Sequence, residues 1–268
     1  MIANHNTTPV LDRDTLRRTA PSVFASSPWQ GMSESYLFIP TADVLDLLED
    51  QGFRVTSARP SRSRTEGKAD FTRHMLRLCH DSFLDAREEV PEVVLVNSHD
   101  RSSAYRVFSG VFRLVCENGM VVQSADFGSF SIRHSGRRDL FAQVREVTPR
   151  IMKGAPAIMN RIDAWKQMIL PRRDQLILAA EDFALKPIHG IKPSFLLMAR
   201  RDEDLTDSEG RRDLWRTTNV IQESLIRGGL TGRNERGRKA TTRSVKVVDA
   251  DLRINRRLWE LAESFSLN

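Results

Sequence analysis

Little in this sequence lends itself to covalent or metal chemistry. Its two cysteines, Cys79 and Cys116, are far apart and have no C-x-x-C partner, which excludes a disulfide framework. The pattern predicts free, buried thiols in a reducing cytoplasm. The six histidines do not assemble in sequence: His74, His80, His99 and His134 form no H-E-x-x-H, no H-x-H and no Cys/His pair at zinc spacing. No metal and no cofactor are therefore expected. No run approaches the ~18 apolar residues of a membrane helix, and no membrane partner is expected. The stretch MIANHNTTPVLDRDTLRR has no basic segment followed by an apolar one, so no secretory signal is expected. A phosphate-binding P-loop is also missing, because Gly232 and Gly237 are followed by Arg238, Lys239 and then Ala240.

What is present suits a globular chain with a real core, at 268 residues, 40% hydrophobic and 28% charged. The densest β signal lies at 92–134. Val93–Val96 is an apolar run, Ala104–Val115 alternates, and Met120–Ile132 is a third β-rich stretch. Asn118-Gly119 reads as a two-residue type I′ turn, giving a three-stranded antiparallel meander. Before it, Leu11–Ala20 predicts a short helix, Tyr36–Ile39 a strand, and Thr41 an N-cap for a helix ended by Gly52. Phe53–Arg59 and Phe71–Leu78 lean towards strands.

After the meander the period becomes helical. Leu140, Val144, Val147, Ile151, Ile158, Ile162 and Trp165 recur at three- and four-residue spacing, in a run that Pro149 and Pro156 should interrupt or kink. Pro171 separates a second helix. Thr206-Asp-Ser-Glu209 has capping-box spacing and opens a helix over about 207–227, stopped by Gly228-Gly229. A basic loop, an edge strand at Ser244–Val248 and an amphipathic helix from Asp251 to about Phe265 close the chain. The fold class expected is α+β, an antiparallel β-meander sheet with helices packed on one face. Residues 1–20 form a flexible segment with a short helix. Residues 21–268 form one domain, β-rich over 36–134 and helical over 137–268, with the basic loop at 228–244.

In order along the chain, RHMLRL (Arg73–Leu78), VNSHD (Val96–Asp100), GVFRLVCENGMVV (Gly110–Val122), TNVIQESLIRGG (Thr218–Gly229) and INRRLWELA (Ile254–Ala262) resemble the phage- and plasmid-related proteins grouped as domain-of-unknown-function family 932. The likeness runs from about residue 20 to the C-terminus. It implies a mobile-element setting and carries no catalytic residues with it.

Charge points to a partner. Residues 211–257 hold 13 Lys and Arg against 5 Asp and Glu, and residues 54–77 hold 7 against 2, in a chain whose net charge is only +6. Concentrated excess of this kind suits a polyanion. The residues expected to touch nucleic acid are Arg62, Arg64, Lys68, Arg73 and Arg77 in the first segment. In the second they are Arg227, Arg233, Arg236, Arg238, Lys239 and Arg243, interleaved with glycines that let a backbone approach phosphates. Phe71, Tyr105, Phe108 and Phe112 are weighed as stacking partners for a single strand against their default place in the core, which is favoured. Arg216, Asn219, Gln222 and Glu223 share a helix face that suits base contacts or, more often, a polar docking network.

The function expected is nucleic-acid binding by a cytoplasmic protein of a phage or plasmid. DNA is favoured over RNA and a single strand over a duplex, in recombination, strand annealing or replication, with self-assembly along the strand. A binding protein is expected rather than an enzyme. A metal-dependent nuclease or nucleotide-processing enzyme is the first alternative, with His99, Asp100 and Glu117 as residues to test. Cys116 reads as a buried hydrophobe rather than a nucleophile, and Asp126, Asp139, Asp174 and Glu181 have no recognisable metal spacing. A protein-binding inhibitor module is the second alternative.

Overall fold

A computed structural model describes residues 8–84, 88–113, 118–122, 129–132, 140–183, 191–233 and 236–267. The chain resolves into two compact units, Met1–Ile158 and Met159–Asn268, and the fold class is α+β.

The first unit is built on an antiparallel sheet. Its strands are β1 (Phe53–Pro60), β2 (His74–His80), β3 (Glu89–Asn97), β4 (Tyr105–Arg113), β5 (Asn118–Val122) and β6 (Ser129–Ile132). The order is β1-β2-β3-β4-β5, with β6 also on β4. The third β-rich stretch is thus two strands that share one edge of β4: β5 pairs with Ser109–Arg113 and β6 with Tyr105–Phe108. Asn118 and Gly119 are ladder positions opposite Arg113 and Phe112, which corrects the turn expected there.

Period-2 alternation places Leu76 and Leu78 of β2, Val93 and Leu95 of β3, and Tyr105 and Val107 of β4 on one face. They are buried with Leu16 of α1 (Arg13–Thr19) and with Val44, Leu45 and Leu48 of α2 (Thr41–Asp50). Asp12 caps α1 by accepting from the Thr15 amide at 2.6 Å. Thr41 is the first residue inside α2 rather than its N-cap, which is Pro40. Of the strand expected over Tyr36–Ile39, only Tyr36 makes a β-bridge, and residues 37–39 join no ladder. The Ile39 carbonyl accepts instead from Asn97 Nδ2 at 3.0 Å.

The opposite face of the sheet carries a buried ion pair. Arg77 and Glu92 lie diagonally across β2 and β3 and are bonded to each other. Gly110 stands opposite Glu92, and a Cβ there would come within 2.9 Å of Val94 Cγ2 and 3.0 Å of Glu92 Cγ. Glycine is what lets the Glu92 side chain lie flat towards Arg77.

Helix α3 (Leu140–Gln167) contains both Pro149 and Pro156 without interruption, and the boundary between the units falls within it. Each proline removes a helix donor. The helix persists because Val144, Thr148, Ile151, Ala155, Ile158, Ile162 and Trp165 form one continuous buried stripe.

The second unit contains α4 (Arg172–Phe183), α5 (Leu214–Arg227) and α6 (Val248–Ser266), and a short bridge between β7 (Ile169–Leu170) and β8 (Arg212–Asp213). The fully buried Trp165, Trp215 and Trp259 form its centre, with Trp165 4.6 Å from Trp259 and 6.2 Å from Trp215 between ring centroids. Helix α5 starts seven residues later than its sequence suggests, capped by Asp213 through the Arg216 amide at 2.7 Å. The Thr206–Glu209 capping box is not used. Asp207 instead accepts from the Glu209 and Arg211 amides at 3.0 and 2.7 Å, closing a turn ahead of β8. The edge strand expected at 244–248 is absent among the described residues. Val245 donates to the Ile226 carbonyl at 2.7 Å, and α6 begins at Val248.

Candidate nucleic-acid interface

The segment expected to be a basic loop is a β-ribbon. Strands β9 (Thr231–Arg233) and β10 (Lys239–Thr241) pair antiparallel, with Lys239 opposite Arg233, Ala240 opposite Gly232 and Thr241 opposite Thr231. Cross-strand partners share a face. One face therefore carries Arg233, Lys239, Thr231 and Thr241, and the other only Gly232 and Ala240.

The ribbon springs from the end of α5 by main-chain bonds. Gly229 N donates to Thr242 O at 2.9 Å, and Thr242 N to Leu230 O at 2.9 Å. Gly228 makes this junction feasible. Its φ is +69°, and a Cβ would sit 2.7 Å from the Arg243 carbonyl carbon and the Thr242 oxygen, a contact no side chain tolerates. Arg200 donates to the Gly228 carbonyl, so a cation also caps the helix end.

Arg233, Arg236, Arg238, Lys239 and Arg243 are all exposed, and Arg233 Nη1 donates to Gly237 O at 2.9 Å across the ribbon's end. Arg227 is exposed too, but leans on Glu223 at 3.2 Å. Glu223 is itself buried. Burial works to raise its pKa, yet Arg201, in a two-pronged contact at 2.6 and 2.8 Å, together with Arg227 and Arg200, holds it below the usual range. The polar face of α5 is accordingly a docking network. Asn219 donates to Trp215 O at 2.8 Å, Gln222 bonds to Asn255 of α6, and Arg216 stands 3.6 Å from Asp213.

The earlier basic segment, which belongs to the first unit, is differently disposed. Arg62 and Arg64 are exposed. Lys68 pairs with Asp100 at 3.1 Å, Arg73 donates to Ser102 O, and Arg77 is buried against Glu92. Charge in this segment is largely spent inside its own unit. Of the aromatic residues weighed for stacking, Tyr105 and Phe108 are buried, and Phe71 packs edge-on against Trp29 at 5.2 Å.

The histidines hold a feature the sequence does not disclose. His74 and His99 come together, ring centroids 5.4 Å apart, around the Thr41 hydroxyl, which lies 2.9 and 3.4 Å from their Nε2 atoms. Asn97 Nδ2 donates to the same hydroxyl at 2.9 Å, and His74 Nδ1 lies 3.0 Å from Ser22 Oγ. Burial, then the neighbouring His99, pushes the His74 pKa down to about 3. Register explains the meeting: β2 and β3 pair His74 with Asn97, which brings His99 alongside. All five side chains are fully buried, so the cluster ties α2 to the sheet and offers no substrate access. Asp100 lies beside it. Burial opposes its ionisation, but bonds from Ser102 and Lys68 hold its pKa low. Cys116, Glu117, Asp126 and Asp139 lie outside the described residues. Among the described residues, no three His, Cys, Asp or Glu side chains converge as metal ligands.

Residues 29–259 match the family described as Domain of unknown function (DUF932), and the chain belongs to that family. It is 37% identical over 257 residues to UPF0380 protein YafZ of Escherichia coli (strain K12), covering 95% of this chain and 91% of that protein. It is also 37% identical, over the same length and coverage, to UPF0380 protein YfjQ of the same strain. No solved structure matches.

Proposed function

We propose that this member of a family of unknown function is a DNA-binding protein that grips the phosphate backbone with the β9–β10 ribbon. The observation that carries the proposal is the ribbon itself. Five cations, Arg233, Arg236, Arg238, Lys239 and Arg243, are exposed on 11 consecutive positions, on a scaffold anchored by main-chain bonds to a buried helix. In the same unit, α6 carries exposed Arg253, Arg256 and Arg257. Arginines on a glycine-containing ribbon combine forked donors with close backbone approach, the two requirements of phosphate recognition. The setting the family resemblance implies is the replication or recombination of a mobile element.

The test is fluorescence anisotropy with single- and double-stranded oligonucleotides across a salt series. Binding through phosphates gives a log–log salt slope of about −0.9 per contact on a duplex and about −0.7 on a single strand. Neutralising Arg236, Arg238 and Lys239 together should flatten the slope and weaken binding to any sequence. Absence of binding at ~50 mM salt, or indifference to the triple substitution, removes the proposal.

A further inference from the structure

We infer that the nucleic acid this ribbon takes is duplex DNA, entered through its major groove, an inference that rests on the DNA-binding proposal above. The ribbon's two faces are unequal. Arg233 and Lys239 are cross-strand partners on one face with Thr231 and Thr241 beside them, and the other face has only Gly232 and Ala240. Two strands ~4.8 Å apart make a body that the ~12 Å major groove of B-form DNA admits. A face bearing Arg and Lys meets there the O6 and N7 acceptors of guanine, and threonine methyls meet the thymine methyl. Arg236 and Arg238, in the connection between the strands, and Arg243, just past them, then lie towards the phosphates that flank the groove. The bond from Arg233 Nη1 to Gly237 O at 2.9 Å holds that guanidinium against the ribbon before any ligand arrives.

A single strand asks for something this surface does not supply. Proteins that hold unpaired strands stack bases on aromatic side chains along a basic groove. Residues 228–247 contain no aromatic residue, the tryptophans of the same unit, Trp165, Trp215 and Trp259, are buried, and the exposed Phe195 of that unit is not part of the ribbon. Duplex RNA is excluded on shape, because the A-form major groove is too deep and narrow for side chains to reach the base edges.

The experiment compares a ~20-bp DNA duplex, its separated strands, the same duplex as RNA, and a DNA duplex whose major groove is filled by glucosylated hydroxymethylcytosine, all by anisotropy with the full chain. The groove model expects the plain DNA duplex to bind at least ~10-fold tighter than either strand or the RNA. It expects the glucosylated duplex to lose that advantage, and the double variant Arg233→Ala/Lys239→Ala to lose it too while keeping its circular dichroism and melting temperature. Equal or tighter binding of the single strands, or undiminished binding of the glucosylated duplex or the RNA, overturns major-groove entry and leaves phosphate binding intact. No binding to any of the four overturns both.

Discussion

Replacing Asp182 with asparagine should stabilise the second unit, by an amount that grows with pH. Asp182 lies on the buried face of α4 with Gln175, Leu178 and Ala179. It is fully buried, and among the described residues neither carboxylate oxygen has a hydrogen-bond partner. Burial, and then the adjacent Glu181, raises its pKa well above the usual carboxylate value, with Arg257 of α6 acting against them. In the unfolded chain the same group ionises near pH ~3.9. Between that point and the raised native value the unfolded state has lost a proton that the folded state keeps. Stability therefore falls as pH rises, at about 1.4 kcal/mol per pH unit for one proton. The gain from removing the charge therefore grows with pH until the raised native value is passed and is constant above it. The variant Asp182→Asn keeps the shape and removes the titration. Guanidinium melts followed by tryptophan fluorescence at several pH values would measure it, since Trp165, Trp215 and Trp259 all report on this unit. Wild type and variant should nearly coincide at pH ~4 and diverge steadily above it. A difference in midpoint that does not change with pH would refute the reasoning, whatever its size.

Other substitutions probe other contacts. Gly228→Ala should cost about 1–3 kcal/mol, because it adds a left-handed strain to a backbone collision, and should release the ribbon; hydrogen exchange at Gly229 and Thr242 would rise, and unchanged protection refutes it. Arg77→Met alone should destabilise the first unit by about 3–5 kcal/mol by stranding Glu92, whereas Arg77→Met with Glu92→Leu should recover most of that; denaturant melts of both variants decide, and equal losses would show that the pair's charge is not the issue. His74 predicts acid sensitivity. Its native pKa of about 3 lies below the ~6.5 of an unfolded histidine, so its stabilisation is complete above pH ~6.5 and is lost as pH falls towards 3. The variant His74→Asn should flatten that acid limb in melts of the first unit, and an unchanged limb would assign it to other groups.

The sequence discloses well whatever depends on local period. The strand at β2, the run of β3, the stripe along α3 and the final amphipathic helix are all legible, because burial imposes period 2 or 3.6 on neighbouring residues. It discloses poorly whatever depends on a competing local bond or on pairing register. Asp207 satisfies amides within a turn, so a spacing that suits a capping box is spent before the helix begins. Asn118-Gly119 has the chemistry of a turn but sits inside the ladder, because β4 fixes its register. The β9–β10 ribbon is hidden for another reason: three-residue strands of Thr, Gly, Arg, Lys and Ala carry no apolar alternation to read. The basic character of the site is plain in the sequence. Which of its cations are already committed is not, since the partners of Arg77 and Lys68, Glu92 and Asp100, lie 15 and 32 residues away and meet them only in the fold. The same holds for His74 and His99.

The anchoring of the ribbon has a consequence for how this family can diversify. Apart from the Thr242 hydroxyl, which accepts from the Leu230 amide, the bonds that join it to α5 run between backbone atoms of Ile226, Gly229, Leu230, Thr242 and Val245, and Gly228 and Gly229, at φ +69° and +84°, are held to glycine by their geometry. Side chains at 231, 233, 236, 238, 239 and 241 can therefore be exchanged with little effect on the junction or on the helix below it. Relatives that keep the two glycines are free to present a different set of contacts on the same stalk, so that changes of target can accumulate without a loss of folding.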